Sequence, residues 1–197
     1  MAEKGRRATY EIVVTASSAG GVTALGELVG RLEPGLAASV LVVQHLDPRH
    51  NSLMTDILSR RTTLAVEQAR EGTTIRRATI YIAPPDHHLL VDSDGVLHLS
   101  KAELVHFLRP SADLLFESAA AAFRERLIGV VLTGTGSDGA MGVRAVKKMG
   151  GTVIVQEDAD FAGMPNAARA TGTADFLLPL AEIGPAINRL VAPEIVP

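Results

Sequence analysis

The chain has 197 residues, 47% of them hydrophobic, with a formal net charge of −3 and no cysteine. That apolar fraction supports a substantial core and excludes a disordered chain, while the acidic balance argues against a general nucleic-acid binder, which carries a basic excess. Without cysteine there is no disulfide and no thiolate chemistry, so any nucleophile is another group, and the composition fits a reducing compartment.

The N-terminal stretch "MAEKGRRATYEIVV" is charged and enters an apolar run too short for a signal peptide. No apolar run approaches the ~18 residues of a membrane span. The expectation is a soluble, cytoplasmic protein.

In chain order, "YEIVVTA" (10–16) predicts a first strand, ending at the cluster "SSAGG". "GVTALGELVGRL" (21–32) predicts a helix, because Val22, Leu25, Leu28, Val29 and Leu32 share one face. "ASVLVVQ" (38–44) is the second strand, "SLMTDILSRR" (52–61) a helix and "TIYIA" (79–83) a strand. "HHLLVDSDGVLHLS" (87–100) has Asp94-Gly95 between two alternating runs, the signal of a hairpin. A helix over 111–126, a strand at 127–133, a helix over 138–150 and strands at 151–156 and 175–179 follow. The tail 191–197 reads as irregular because of its prolines. The runs are rich in Val and Ile and nearly continuous, as in strands buried on both faces. Strand and helix in alternation imply an α/β fold: a doubly wound, mostly parallel sheet with helices on both faces and one β-hairpin. No linker, repeat or low-complexity tract interrupts the pattern. One domain is expected, with its core over about 12–191.

Ligands of an open parallel sheet bind outside the carboxyl ends of the strands. The polar residues just past those ends are Ser17 and Ser18; Gln44, His45, Asp47 and His50; Thr133, Thr135, Ser137 and Asp138; and Glu157, Asp158 and Asp160. A hydroxyl, an imidazole and a carboxylate thus converge on one edge, the inventory of serine nucleophilic catalysis. Backbone N–H groups over Ala19, Gly20 and Gly21 open a helix and are placed to receive an oxyanion. Serines at such a turn also serve as plain N-caps. His87, His88, His98 and His106 read as surface or local structure, as does His50 near a helix start. The adjacent pair His87-His88 points apart on a strand and makes a poor metal site; no metal is expected.

A second reading competes. "GTGSDG" (134–139) spells G-x-G-x-x-G between a strand and a helix, with Glu157 at the end of the next strand, the context of a dinucleotide fingerprint. On this reading the chain is a nucleotide-binding or non-catalytic α/β module. Few strands follow the motif, however, and the strand-end serines and His45 stay unexplained. There is no G-x-S-x-G elbow either, which leaves an ordinary α/β-hydrolase unsupported.

The blocks "SSAGG", "VVQHLDP", "YIAPPDHHL", "RPSADLLFESAA", "VVLTGTGSDGAMG" and "FAGMPNAA", in this order, resemble the catalytic domain of CheB, the chemotaxis protein-glutamate methylesterase. The resemblance runs from about Ile12 to Val191. It implies a Ser-His-Asp triad that hydrolyses glutamate methyl esters on the helical cytoplasmic bundles of chemoreceptors. It also implies deamidation of glutamines there and no cofactor. Aligned on Gly20-Gly21, the family's G-A-S-x-G-G pattern makes Ser18 the nucleophile and sets Ser17 on the alanine. "VQH" supplies His45, and L-T-G-x-G-x-D-G supplies Asp138. Ala19, Gly20, Gly21 and Thr135 are then the oxyanion or turn residues. Ala16 departs from the family's usual glycine, and Thr135 and Ser137 stand where a methionine and an asparagine are expected. "QEDADFAGMP" (156–165) is expected to border the site, with Phe161 and Met164 offering apolar contact to a receptor helix. The typical member carries a receiver domain ahead of this one, so a regulator on another chain is expected; neither nucleic acid nor direct membrane insertion is.

Overall fold

The structure, a computed structural model, describes residues 10–45 and 53–192. Its centre is a seven-stranded sheet. In chain order the strands of that sheet are β1 (Ile12–Ser17), β2 (Ser39–Gln44), β3 (Ala65–Gln68), β4 (Thr79–Ile82), β7 (Leu127–Val131), β8 (Thr152–Gln156) and β9 (Phe176–Leu178). They lie in the order β3-β4-β2-β1-β7-β8-β9, every pair parallel. The hairpin of β5 (His88–Val91) and β6 (Leu97–Ser100) stands apart as a two-stranded antiparallel sheet.

β1, β2, β7 and β8 are buried at every position, which is why the sequence runs Val-Val-Thr and Val-Leu-Val-Val without polar alternation. Successive side chains point to opposite faces. Val13, Val40, Val42 and Val130 meet α1 (Gly21–Gly30), α2 (Met54–Ser59) and α6 (Leu180–Val191) on one side. Val14, Ala16, Leu41 and Val43 meet α3 (Ala112–Phe123), α4 (Ala140–Lys148), α5 (Gly163–Ala170) and the hairpin on the other. The expected doubly wound α/β architecture with one hairpin is therefore present. No helix among the described residues is long and apolar enough to cross a membrane.

Three elements lie outside the sequence expectation. β3 is a half-exposed edge strand with no buried face to give it a pattern. α5 and α6 carry Pro165 and Pro185, and proline argues against a helix. The candidates Asp47 and His50 lie outside the described residues.

The strand order places the site. β1 is central, flanked by β2 and β7, so the segments leaving these three strands at their carboxyl ends are spatial neighbours.

Candidate active site

Ser18 is the first residue past β1 and His45 the first past β2. The two strands pair in register through Ser17 and Gln44, and the His45 N–H donates to the Ser17 carbonyl at 3.0 Å. Neighbouring strands lie ~4.8 Å apart, so Ser18 and His45 stand side by side at the sheet edge. The Ser18 N–H donates across to the Thr133 carbonyl at 3.0 Å, tying the serine to the end of β7 as well. The half-buried Ser18 hydroxyl has no hydrogen-bond partner among the described residues.

Asp138 lies in the loop from β7 to α4 and is buried. Its Oδ2 is 2.8 Å from His45 Nε2. A carboxylate only accepts, so Nε2 carries the hydrogen and the neutral ring keeps its lone pair on Nδ1. The same carboxylate lies at the start of α3. It accepts from Ala112 N–H at 2.6 Å, from Asp113 N–H at 3.0 Å and from the Ser111 hydroxyl at 3.0 Å, and it also accepts from Gly139 N–H at 3.1 Å. Burial pushes its carboxyl up, but the His45 hydrogen bond and the Ala112 and Asp113 amides outweigh burial and hold it below the usual carboxylate range.

The capping is reciprocal. Asp113 Oδ1, on α3, accepts from Gly139 N–H at 2.9 Å and Gly142 N–H at 2.7 Å at the start of α4. Burial raises the Asp113 carboxyl; the Gly142 amide opposes that and the nearby Asp138 charge adds to it. An acid with a raised folded-state pKa contributes its full stability only below its unfolded value of about 3.9, and loses it as pH rises through the folded value. At pH 7 the Asp113 charge therefore works against folding. Both capping bonds end on one oxygen, which asparagine also has. Asp113→Asn is expected to raise the thermal midpoint at pH 7, with the gain gone below about pH 4. Melting curves at the two pH values check this; a lower midpoint for the variant at pH 7 counts against the assignment.

These caps also decide the dinucleotide alternative. Anions bind helix N-termini through free amides. At α4 the Gly139 and Gly142 amides are already taken, and by carboxylates, whose charge repels a pyrophosphate. The glycines of "GTGSDG" serve packing and turning instead. A Cβ on Gly134 would stand 2.9 Å from Ser18 Cβ and collide with Met164 Sδ, while Gly136 and Gly139 take φ of 85° and 96°.

Around Ser18, Gly20 has φ 74° and caps α1. The Gly21 N–H donates to the Ser18 carbonyl at 2.8 Å, so Gly21 belongs to the turn and has no hydrogen left for an oxyanion. The N–H groups of Ala19 and Thr135 carry no hydrogen bond among the described residues. Thr133 Oγ1 donates to the Ala19 carbonyl at 3.1 Å and accepts from Phe161 N–H at 3.1 Å; Gly134 N–H donates to the Phe161 carbonyl at 2.8 Å. The 161–164 segment is thus pinned beside the nucleophile turn. The Phe161 ring, 45% exposed, lies 3.2 Å from where a Gly20 Cβ would be. Met164 is only 1% exposed and packs in the core under Gly134, so of the two residues expected to meet a receptor helix only Phe161 has surface to offer.

Sequence reading did not single out the supports of Asp138, among them Ser111 and Asp113. His88, expected as surface or local structure, is fully buried. Its Nδ1 accepts the Ser111 N–H at 3.1 Å and its Nε2 donates to the Glu103 carbonyl at 3.1 Å, so it holds the start of α3 against Asp138. Only its place at the start of the apolar run His88–Val91 could have signalled this.

Comparison with known proteins points to one family. The family model described as CheB methylesterase matches residues 13–187. A relative from Leptospira interrogans is 36% identical over 183 residues, covering 92% of this chain and 95% of its own. Proteins from Symbiobacterium thermophilum (37% identical, 95% of this chain) and Caulobacter vibrioides (40% identical, 90% of this chain) carry names of the form protein-glutamate methylesterase/protein-glutamine glutaminase. This chain spans about half of their length, 52% and 53%. The crystal structure of the Thermotoga maritima CheB methylesterase catalytic domain superposes with a TM-score of 0.89 at 33% identity, over 93% of this chain and all of that one.

Proposed function

The chain belongs to the CheB methylesterase family, and from that premise we propose that it hydrolyses glutamate side-chain methyl esters on chemoreceptor cytoplasmic bundles through Ser18, His45 and Asp138. The observation that carries this reading is the 2.8 Å hydrogen bond from His45 Nε2 to Asp138 on the strand end next to Ser18. Residues 1–197 form one domain of this kind, with its core over about 12–191, acting in the cytoplasm on the receptor face exposed there.

Asp138 holds the proton on Nε2, so Nδ1 is the base that takes the Ser18 proton as Oγ attacks the ester carbonyl. The developing oxyanion is received by the free N–H groups of Ala19 and Thr135. Collapse expels methanol with the proton from His45 and leaves an acyl ester on Ser18. Water, activated by the same imidazole, then releases the glutamate carboxylate. With a glutamine side chain the same sequence expels ammonia, which is deamidation. The chemistry calls for no cofactor. A phosphorylatable receiver domain fits as the regulator of such a site.

The test is methanol release from a methylated receptor fragment; a parent protein that releases none overturns the reading. For substrate capture, Phe161→Ala is expected to raise KM for the receptor fragment about tenfold, the scale of one buried aromatic contact in an interface, while turnover of p-nitrophenyl acetate stays within about twofold. Equal losses on both substrates would assign Phe161 to structure.

A further inference from the structure

At the fork where β1 leaves β2 for the α1 turn, the last backbone bond between them among the described residues is the one from His45 N–H to the Ser17 carbonyl. The carboxamide of Gln44 stands at that fork. Its Nε2 donates one hydrogen to the Ser18 carbonyl and the other to the His45 carbonyl, both at 2.9 Å. Its Oε1 accepts from the Ser17 hydroxyl at 2.6 Å. The amide's orientation is fixed by its surroundings. Two carbonyls only accept, so the NH2 must face them, and Oε1 is left for the one hydroxyl. Gln44 is 5% exposed and Ser17 is 0% exposed, so these bonds form away from water. Gly21 closes over them. A Cβ there would collide with Gln44 Oε1 and come within 2.8 Å of Ser17 Oγ.

Resting on the triad reading above, we propose that Gln44 is a positioning residue for the reaction. With Ser17 as its second support, it fixes the backbone of the nucleophile and that of the base at one separation. Neither side chain reaches the substrate. The physical requirement is strict: a displacement of about 1 Å between reacting groups costs up to about 10²-fold in rate. Ser17 supplies the hydroxyl anchor of this amide. An ordinary satisfied buried amide would stabilise the fold and leave kcat untouched. A positioning residue lowers kcat in protein that is still folded.

The experiment uses the full chain, methanol release from a peptide bearing a glutamate γ-methyl ester, and kcat and KM at pH 8 and pH 6. Gln44→Glu keeps the shape but turns an oxygen toward two carbonyls. Protonation of that buried acid as pH falls restores one donor. The expected result is a parent-to-variant kcat ratio of about 100 at pH 8 that shrinks to about ten at pH 6, with KM within about twofold. A ratio near one, a ratio that does not change with pH, or a loss confined to KM overturns the proposal. Where Gln44→Glu fails to fold, Ser17→Ala decides. It frees Oε1 and is expected to lower kcat about 3- to 10-fold at unchanged KM, and parental kcat overturns the proposal. A parent inactive on this ester and on the receptor fragment sinks the esterase reading and this inference together. An active parent with unaffected variants sinks this inference alone.

Discussion

Ser18→Ala is expected to lower methanol release from a methylated receptor fragment by about 10⁵–10⁶-fold, the scale at which removing a triad nucleophile leaves only the oxyanion hole and binding. Ser17→Ala is expected to lose only about 3- to 10-fold, the loss of a support and not of the nucleophile. The two serines are adjacent in sequence but opposite in role, because successive residues of a strand point to opposite faces. The Ser17 side chain is buried at the end of β1 and spent on Gln44. Ser18 stands one step further, past the last described bond to β2, half-exposed and between the ends of β2 and β7. Alanine at 18 deletes no hydrogen bond among the described residues, so the variant should melt within about 0.5 kcal/mol of the parent, as substitutions away from structural features do. Comparable turnover in Ser18→Ala, or equal loss at 17 and 18, would move the nucleophile elsewhere.

The second large effect is Asp138→Asn, expected to cost about 10⁴-fold in kcat. Asparagine can still accept from Asp113 N–H, Gly139 N–H and the Ser111 hydroxyl through Oδ1. Its NH2 then takes the place of Oδ2 and faces His45 Nε2 and Ala112 N–H. Two donors meet at each contact. His45 relieves its side by moving the proton to Nδ1, which removes the lone pair that the Ser18 hydroxyl needs. Ala112 has no such escape, and leaving its N–H unsatisfied costs about 1–3 kcal/mol of stability. The variant is therefore expected to fold, melt lower and lose turnover. kcat with calorimetry on the same preparation separates the two effects. Parental turnover in the folded variant would remove Asp138 from the reaction.

The sequence made the central strands legible because they are buried on both faces and so read as unbroken Val and Ile runs. It also made the strand-end residues legible, since the switch from apolar run to Ser, His or Asp falls where a parallel sheet puts its chemistry. Elements with a weak or broken apolar pattern were not legible. β3 has only exposed and half-exposed positions, and in α6 Gly184 and Pro185 interrupt the buried Ile183, Ile187 and Val191. The site's supports were hidden for a different reason. His88 with Ser111, Asp113 with Gly142 and Ser17 with Gln44 are pairs 23, 29 and 27 residues apart that only the folded topology joins. Single residues in such pairs look like caps and loop polars. The wrong expectation for Met164 has the same origin: a methionine beside an exposed phenylalanine gives no hint that Gly134 leaves room for its sulfur.

The capping of α3 by Asp138 bears on how pseudoenzymes of this fold would be recognised. A descendant that lost its substrate would still need a carboxylate at 138 to close the start of α3, so selection for mere folding would keep that aspartate long after turnover ceased. The Ser18 hydroxyl has no such second duty, because it holds nothing together among the described residues. In a survey of related chains, an intact aspartate is thus evidence of a sound scaffold, and the serine is the position whose loss dates the end of catalysis.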